Sequence, residues 1–195
     1  MDTASERVAE ELAWIHRIGS GDKVALAQLY RRYAPRIFRF VLRMIKDEAM
    51  AEELVNDVLL EIWKGAAQFE GRSSPSTWIL GIARFRTLNA LRGKRLDTVE
   101  LSQAPEAIDA AADASQGRTQ AELRGLMRRT VARLPAEHRE VVELAFFHDC
   151  SYKEVAEILQ CPENTVKTRM FHAKAKLKPW LSHLGLSLSE MGGVT

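Results

Sequence analysis

The segment between Leu96 and Gln116 limits the fold most, because it has few of the large apolar side chains that a core needs. It reads LDTVELSQAPEAIDAAADASQ and is rich in Ala, Asp and Ser. Such a composition favours a tether over a packed element. A chain of 195 residues is long enough for two small domains. We therefore predict a first domain at 1–95, a linker at 96–117 and a second domain at 118–195.

On both sides of this linker, apolar residues recur with the 3.6-residue period of amphipathic helices, and strand-like alternation is nearly absent. Asp22 and Asp47 are each placed to cap a helix, and Pro35 is expected to end or kink the first one. Ser74 followed by Pro75 predicts another helix start. The expected apolar positions of these helices are Val24, Leu26, Leu29, Tyr30, Ala51, Val55, Val58, Leu59, Ile62, Trp78, Ile82 and Leu88. The predicted fold class is all-α.

The second domain contains a short helix, a tight turn and a longer basic helix. Ser151 and Glu154 have the S-x-x-E spacing of a capping box, and QCPEN follows as the turn. Wound as a helix, TVKTRMFHAKAKL places one apolar stripe toward a core, and its members are Val166, Met170, Ala173 and Leu177. This arrangement predicts a helix-turn-helix.

Phe171 lies on the opposite, outward side of that helix, with Thr168 and His172. In a helix-turn-helix the second helix enters the major groove, where hydrogen-bonding groups and an apolar contact for a thymine methyl read base edges. Basic side chains flank this outward face and are then expected to lie near phosphates: Lys167, Arg169, Lys174 and Lys176. Two other interpretations remain open: Phe171 packs on a neighbouring helix or the C-terminal tail, and the lysines form a solvated surface.

The net charge is only +2, but the charges are segregated. Five basic residues and no acid lie between Arg84 and Arg95, and the same holds between Lys167 and Lys178. Five acids and no base lie between Asp97 and Asp113. This pattern indicates two modules that face a polyanion, joined by a negative connector.

Several function classes are not expected. Cys150 and Cys161 do not make a disulfide framework or a zinc spacing with nearby histidines, so we expect no metal and no cofactor. The sequence offers no phosphate-binding glycine loop and no plausible nucleophile–base pair, so we expect no enzyme and no catalytic residue. The N-terminus is not a signal peptide, and no apolar run approaches the roughly 20 residues that span a bilayer. We expect a soluble cytoplasmic protein.

The order of several blocks resembles the bacterial extracytoplasmic-function (group IV) RNA polymerase sigma factors. The blocks are ALAQLYRRYAPRIFRFVLRMIKDEAMAEELVNDVLLEIW, SSPSTWILGIARFRTLNALR, RLPAEHREVVEL and SYKEVAEILQCPENTVKTRMFHAKAKLKPWL. The resemblance implies two helical domains, one for the −10 promoter element and one for the −35 element. It also implies three partners: core RNA polymerase, through its β′ clamp helices and β flap; promoter DNA; and an anti-sigma factor.

The resemblance assigns residues to these roles. The implied polymerase-binding residues are Glu52, Glu53, Asn56 and Asp57, although their pattern alone reads as a solvated helix face. The implied −10 residues are Phe69, Arg72, Ser73, Ser74 and Ser76 in a loop, with Arg84 and Arg86 on the helix behind it. The implied −35 residues are Ser151, Tyr152, Lys153, Asn164, Thr165, Lys167, Thr168, Arg169, Phe171, His172 and Lys174.

This chain departs from the family pattern at three places. Phe85 stands where the family often has Asn, and Pro75-Ser76 stands where it often has Phe-Arg, so the preferred −10 sequence is open. Asn164 replaces a common Gly; because Asn tolerates a left-handed or capping conformation, the turn is expected to survive. Two other functions stay open: a stand-alone helix-turn-helix regulator, and a helical adaptor that binds only proteins.

Overall fold

The computed structural model describes residues 3–97 and 120–183, and the chain divides into two compact units. The first unit holds α1 (Thr3–Gly19), α2 (Lys23–Ile45), α3 (Glu48–Gly65) and α4 (Pro75–Asp97), with a 3₁₀ turn at Ala66–Gln68. The second holds α5 (Gln120–Ala132), α6 (Ala136–Val142), a π-helical turn at Glu143–Phe147, α7 (Tyr152–Leu159) and α8 (Glu163–His183). All regular structure in the described residues is helical, which confirms the predicted fold class. Beyond Asp97, the predicted linker lies outside the described residues.

The predicted helix caps of the first unit are confirmed. The Asp22 carboxylate accepts hydrogen bonds from the N–H groups of Val24 (2.8 Å) and Ala25 (3.1 Å) at the start of α2. The Asp47 carboxylate accepts one from the N–H of Met50 (3.2 Å) at the start of α3. Each cap satisfies backbone donors that the first helical turn leaves without an intrahelical partner.

Pro35 does not end α2, which runs unbroken from Lys23 to Ile45. A proline inside a helix deprives the carbonyl four residues earlier, here that of Arg31, of its N–H partner. Both Pro35 and Arg31 are exposed, so water can satisfy that carbonyl. The expectation that the helix ends here is therefore wrong, because the cost of the proline is low on the wet side of a packed helix.

The core of the first unit follows the predicted stripe on α3, only partly on α2, and not on α4. All five α3 positions are buried, whereas on α2 Leu29 is buried but Val24 and Tyr30 are exposed. On α4 the predicted positions Trp78, Ile82 and Leu88 are only half-buried. The buried positions include Ile79, Leu80, Ala83 and Thr87 instead. Thr87 can lie in this stripe because its hydroxyl donates to the Ala83 carbonyl at 2.7 Å, which satisfies the polar group.

A buried hydrogen bond fastens α1 to α2. The hydroxyl of Tyr33 donates to a carboxylate oxygen of Glu11 at 2.7 Å, and both side chains are buried. The other carboxylate oxygen of Glu11 lies 3.6 Å from the guanidinium of Arg32. Because a buried carboxylate is costly without partners, this pair fixes how the two helices meet.

In the second unit, α5, α6 and α8 pack around a common core. The predicted α8 stripe is confirmed, because Val166, Met170, Ala173 and Leu177 are all buried. From α6 and the π-helical turn, Val141, Val142, Leu144 and Ala145 join it. Near the ends of α5 and α8, the guanidinium of Arg133 lies 4.7 Å from the Trp180 ring centroid, a cation–π contact.

We expect Tyr33→Phe to lower the free energy of unfolding by about 1–3 kcal/mol, because the buried Glu11 loses a hydrogen-bond donor. Burial, and then the hydrogen bond to Glu11, raise the pKa of Tyr33 above its usual 10.0. The protonated phenol therefore stabilises the fold fully below pH 10 and progressively less above it. Denaturant unfolding from pH 7 to 11 should show a smaller alkaline loss of stability in Tyr33→Phe than in the wild type.

Tyr30→Phe is the matched control, since Tyr30 lies on the same helix but is exposed. Its unfolding should match the wild type at every pH. Equal alkaline losses in the wild type and Tyr33→Phe would contradict the assigned role of the buried phenol.

Candidate nucleic-acid and polymerase interfaces

The capping box predicted at the start of α7 is present. The N–H of Ser151 donates to the Glu154 carboxylate at 2.9 Å, and the N–H of Glu154 donates to the Ser151 hydroxyl at 3.3 Å. The Ser151 hydroxyl also donates to the same carboxylate oxygen at 2.9 Å. These bonds fix the start of the first helix of the helix-turn-helix. Burial raises the pKa of the adjacent Tyr152 phenol, which keeps it a neutral hydrogen-bonding group.

The turn between α7 and α8 depends on Gln160, which adopts a left-handed conformation with φ of 53°. The N–H of Cys161 donates to the Ala156 carbonyl at 3.1 Å, and the N–H of Thr165 donates to the Pro162 carbonyl at 2.9 Å. Asn164 lies within the first turn of α8. The turn therefore survives as expected, but its left-handed residue is Gln160 and not Asn164.

The outward face of α8 carries an aromatic side chain among polar ones. Phe171 is 69% exposed, and its only described ring neighbour is His172, in an edge contact with centroids 5.5 Å apart. Thr168 and His172 are exposed on the same face, and the Thr168 hydroxyl donates to the Asn164 carbonyl at 2.9 Å. Within the described residues, the interpretation that Phe171 packs on a neighbouring helix is wrong.

Basic residues beside this face have intramolecular partners. Lys167 pairs with Glu163 at 2.8 Å and Arg169 pairs with Glu137 of α6 at 3.0 Å. The ammonium of Lys174 lies 5.9 Å from the Phe146 ring centroid. Sequence reasoning overlooked these partners, although the i,i+4 spacing of Glu163 and Lys167 was a visible signal. A phosphate at Lys167 or Arg169 must therefore compete with a carboxylate or share the cation with it.

His138 of α6 lies behind the outward face, with its ring centroid 6.1 Å from that of His172. Burial lowers the pKa of His138, and the positive charge of Lys176 and the neighbouring His172 lower it further. His138 is therefore neutral at pH 7. No sequence pattern predicts this pair, because it depends on how α6 packs against α8.

The predicted −10 residues in the loop before α4 differ in burial and in their interaction partners. Ser74 caps α4, since its hydroxyl accepts the Thr77 N–H at 3.1 Å and lies 2.8 Å from the Thr77 hydroxyl. Phe69 is half-buried and packs on Trp78, with ring centroids 4.7 Å apart. Arg72 is exposed and forms an ion pair with Glu70. Ser73 and Ser76 are half-buried.

The two arginines predicted behind the loop are half-buried. The guanidinium of Arg86 forms an ion pair with Glu61 of α3. This guanidinium, followed by Lys64, lowers the pKa of the Glu61 carboxyl. Arg86 therefore joins α4 to α3 in this structure.

The outer face of α3 carries the acidic residues predicted to bind polymerase. Glu52, Glu53 and Asn56 are exposed, and Asp57 is half-buried. Leu60 lies on the same side of α3, one helical turn beyond Asn56, and is 49% exposed. Sequence reasoning did not select Leu60, although it lies outside the stripe of residues that α3 buries. An apolar side chain bordered by polar ones is typical of a protein-binding surface.

Among residues 3–97 and 120–183, no group of His, Cys, Asp or Glu is arranged to hold a metal ion. Cys150 is buried, whereas Cys161 is only partly buried. No helix in the same part of the chain is long and apolar enough to cross a membrane.

The capped helix-turn-helix, with an aromatic and basic face on its second helix, defines a helical DNA-binding protein. The Sigma-70 region 2 model matches residues 29–96, and the Sigma-70, region 4 model matches residues 124–177. The ECF RNA polymerase sigma factor RpoE of Cereibacter sphaeroides is 32% identical over 163 residues, which are 83% of this chain and 88% of that protein. The chain belongs to the ECF RNA polymerase sigma factors.

Two solved structures share the fold. CnrH, in complex with the cytosolic domain of CnrY, has a TM-score of 0.66 at 19% identity, covering 89% of this chain and 98% of that chain. RpoE of Bartonella quintana, in complex with the anti-sigma factor NepR, has a TM-score of 0.61 at 25% identity, covering 80% and 96%.

We expect Glu61→Gln to reduce the sensitivity of the first unit to acid. Because the folded-state pKa of Glu61 is lowered, its stabilising effect is complete above the usual 4.5 and is lost as pH falls through the lowered value. The thermal midpoint of the variant should be lower than that of the wild type at pH 7. The difference should shrink as pH is lowered toward 3.

Glu53→Gln removes the same charge from the exposed face of the same helix and is the control. It should follow the wild type throughout this pH range. A constant difference between Glu61→Gln and the wild type at all pH values would show that the ion pair with Arg86 does not stabilise the fold.

Proposed function

We propose that this chain binds core RNA polymerase and directs it to promoters by reading a −35 duplex and an opened −10 strand. The observation that carries the proposal is the exposed Phe171, among basic residues, on the second helix of a capped helix-turn-helix in a sigma factor. The two functional domains are proposed at 1–95 and 118–195, joined by the segment 96–117.

The second unit is proposed to read the −35 element through α8. Thr168, Phe171 and His172 face the base edges, with Phe171 supplying an apolar surface for a thymine methyl. The proposed contacts around them are Ser151, Tyr152, Lys153, Asn164, Thr165, Lys167, Arg169 and Lys174. Their charged groups, peptide N–H groups and hydroxyls can bind DNA phosphates, and such contacts position the protein on the duplex.

The first unit is proposed to capture the −10 element as a single strand. Gly71, with φ of 69° and open space around it, lets the loop take a conformation that other residues rarely adopt. Arg72 offers charge at the exposed tip, and Ser73 and Ser76 offer small hydrogen-bonding groups for a flipped base. Phe69 and Ser74 support this loop by packing and capping, while Arg84 and Arg86 hold positive charge behind it.

Polymerase docking is proposed for the outer face of α3. Glu52, Glu53, Asn56 and Asp57 form a polar surface that ends beside the exposed Leu60, a pattern that suits a basic or polar helical partner such as the β′ clamp helices. The second unit is proposed to contact the β flap. When core polymerase holds both units, binding of one promoter element raises the effective concentration of the other contact.

The proposed mechanism is not enzymatic, because strand opening is driven by binding energy alone. It takes place in the cytoplasm, where polymerase and promoter DNA lie. The relative from Bartonella quintana forms a complex with an anti-sigma factor. We extend that partnership to this chain and propose that an anti-sigma factor covers the polymerase-binding surfaces.

Runoff transcription with purified core polymerase tests the proposal against its alternatives. Specific initiation that requires both this chain and core polymerase supports a sigma factor. Operator binding that is unaffected by core polymerase would indicate a stand-alone regulator. No effect on DNA at all would indicate a protein-binding adaptor.

Phe171→Ala is expected to cost about 1–3 kcal/mol of discrimination between −35 sequences, because the apolar base contact is lost. Competition binding of the polymerase complex to promoter duplexes with altered −35 bases measures this. Because Phe171 is exposed, thermal unfolding and affinity for core polymerase should not change. An equal loss of core binding would show that Phe171 is not a base-reading residue.

Leu60→Ala, and Asn56→Ala combined with Asp57→Ala, are expected to weaken core polymerase binding. Truncating an apolar anchor at the centre of an interface costs about 2 kcal/mol or more. Val24→Ala is the control, since it truncates another exposed apolar residue, on α2. Fluorescence competition for core polymerase measures the affinities, and a loss that is equal in Val24→Ala would reject the docking face.

A further inference from the structure

The last residue of α1 lies against the 3₁₀ turn at Ala66–Gln68 with no room for a side chain. A Cβ added at Gly19 would come within 3.0 Å of the Ala67 Cα, 3.1 Å of the Ala67 N and 3.2 Å of the Ala66 carbonyl carbon. All three are backbone atoms, which cannot rotate away as a flexible side chain can. Any larger residue at Gly19 therefore pushes the turn away from α1 by a few tenths of an ångström.

Backbone conformation does not explain this glycine. Among the glycines that the structure describes, a positive φ is found at Gly21 and Gly71 but not at Gly19. Gly19 is part of a helix, where alanine is the more favourable residue because it loses less conformational entropy on folding. The close approach of the turn is therefore the physical reason that favours glycine at this position.

The turn links this contact to the loop that precedes α4, residues 69–76. Phe69 is the first residue of that loop, and its N–H donates to the Ala66 carbonyl at 3.2 Å. Its ring packs on Trp78 of α4, with ring centroids 4.7 Å apart. Trp78 also lies against the end of α3, since a Cβ added at Gly65 would be 3.4 Å from a carbon of its ring. Contacts therefore run from the end of α1 through the turn to the first residue of the loop, and from there to α4.

Helix α1 is held more firmly than the turn. It buries Ile15 and Ile18, and its Glu11 carboxylate accepts the buried hydrogen bond from Tyr33. The turn has three residues, of which only Ala66 is buried. Added volume at the end of α1 therefore displaces the turn, and the loop that follows it, more than it displaces α1.

We propose that Gly19 is a positioning residue for capture of the −10 strand. Because it has no side chain, the turn rests on the end of α1, and this contact sets where the loop at 69–76 lies relative to α4. The proposal rests on the proposed −10 function of that loop, and adds a residue on α1 that acts through the loop and not by touching DNA. The competing interpretation is that Gly19 contributes only to folding.

The test uses the full chain with core polymerase and a fluorescent single-stranded oligonucleotide. The oligonucleotide spans the −10 region of a promoter on which the wild type gives runoff transcription. Misplacement by about 1 Å can cost a positioned group about 100-fold, so a shift of a few tenths should lower the affinity about threefold to tenfold in Gly19→Ala. Gly19→Leu should lose more, because its side chain displaces the turn further.

Two control variants match these changes. Ala13→Leu adds the volume of a large side chain to the same helix at an exposed position. Gly125→Ala makes the same change in α5, where an added Cβ would meet only the end of the Arg129 side chain, at 3.8 Å. Both variants should bind the oligonucleotide as the wild type does.

Oligonucleotides with each −10 base changed in turn separate a displaced loop from a less stable fold. A displaced loop alters the geometry of base recognition, so the ratio of affinities between the original and the changed oligonucleotides should fall in Gly19→Ala. A less stable fold removes the same fraction of active protein from every measurement and leaves this ratio unchanged. Affinity for core polymerase and for a −35 duplex should match the wild type, because the turn belongs to neither proposed contact surface.

Each outcome decides the proposal. Wild-type affinity and wild-type base ratios in both Gly19→Ala and Gly19→Leu overturn the positioning role and leave −10 capture intact. A loss that is equal for every oligonucleotide, or a parallel loss of core polymerase binding, overturns it in favour of a folding role. If the wild-type complex itself does not bind the oligonucleotide, the proposed −10 capture fails, and the positioning role fails with it.

Discussion

Burial of one apolar stripe on each helix determines which side chains the opposite side exposes to solvent and to partners. On α8, Val166, Met170 and Leu177 are buried, which sets the rotation of the helix about its axis. That rotation leaves Phe171 on the wet side, where hydration of the ring is unfavourable. The same constraint on α3 and α4 exposes Leu60 and Phe85. These three exposed apolar side chains are not needed by their own cores, so they are free to contact partners.

Ion pairs add a second constraint, because they hold basic side chains in place before any ligand arrives. Arg86 joins two helices of the first unit through Glu61, and Arg169 joins α8 to α6 through Glu137. A basic residue that is already paired contributes less to phosphate binding, since the neighbouring carboxylate offsets part of its positive charge. Exposed pairs are worth only about 0–1 kcal/mol, so DNA can compete for them, but the net gain from each phosphate contact is reduced.

Local interactions in this chain could be predicted from the sequence, whereas contacts between distant segments could not. The caps at Asp22, Asp47 and Ser151 depend on neighbours within three residues, and all three are present. The register of α4 was missed because Thr87 is polar in sequence but satisfies its hydroxyl within the helix. The ion pairs of Glu61 with Arg86 and of Glu137 with Arg169 could not be predicted, because the partners become neighbours only after the helices pack. Pro35 was misjudged because the sequence does not show that its missing hydrogen bond faces water.

These constraints together explain why recognition is divided between two surfaces. On α8 only a few exposed side chains are proposed to contact bases, and two of the nearby cations are paired with carboxylates. On the first unit, the captured strand must first be unpaired and unstacked, which costs a few kcal/mol for each flipped base. Neither contact supplies a large surplus of binding energy by itself. When one polymerase carries both units, the second DNA contact forms at a high effective concentration. Specificity then depends on both promoter elements being present together.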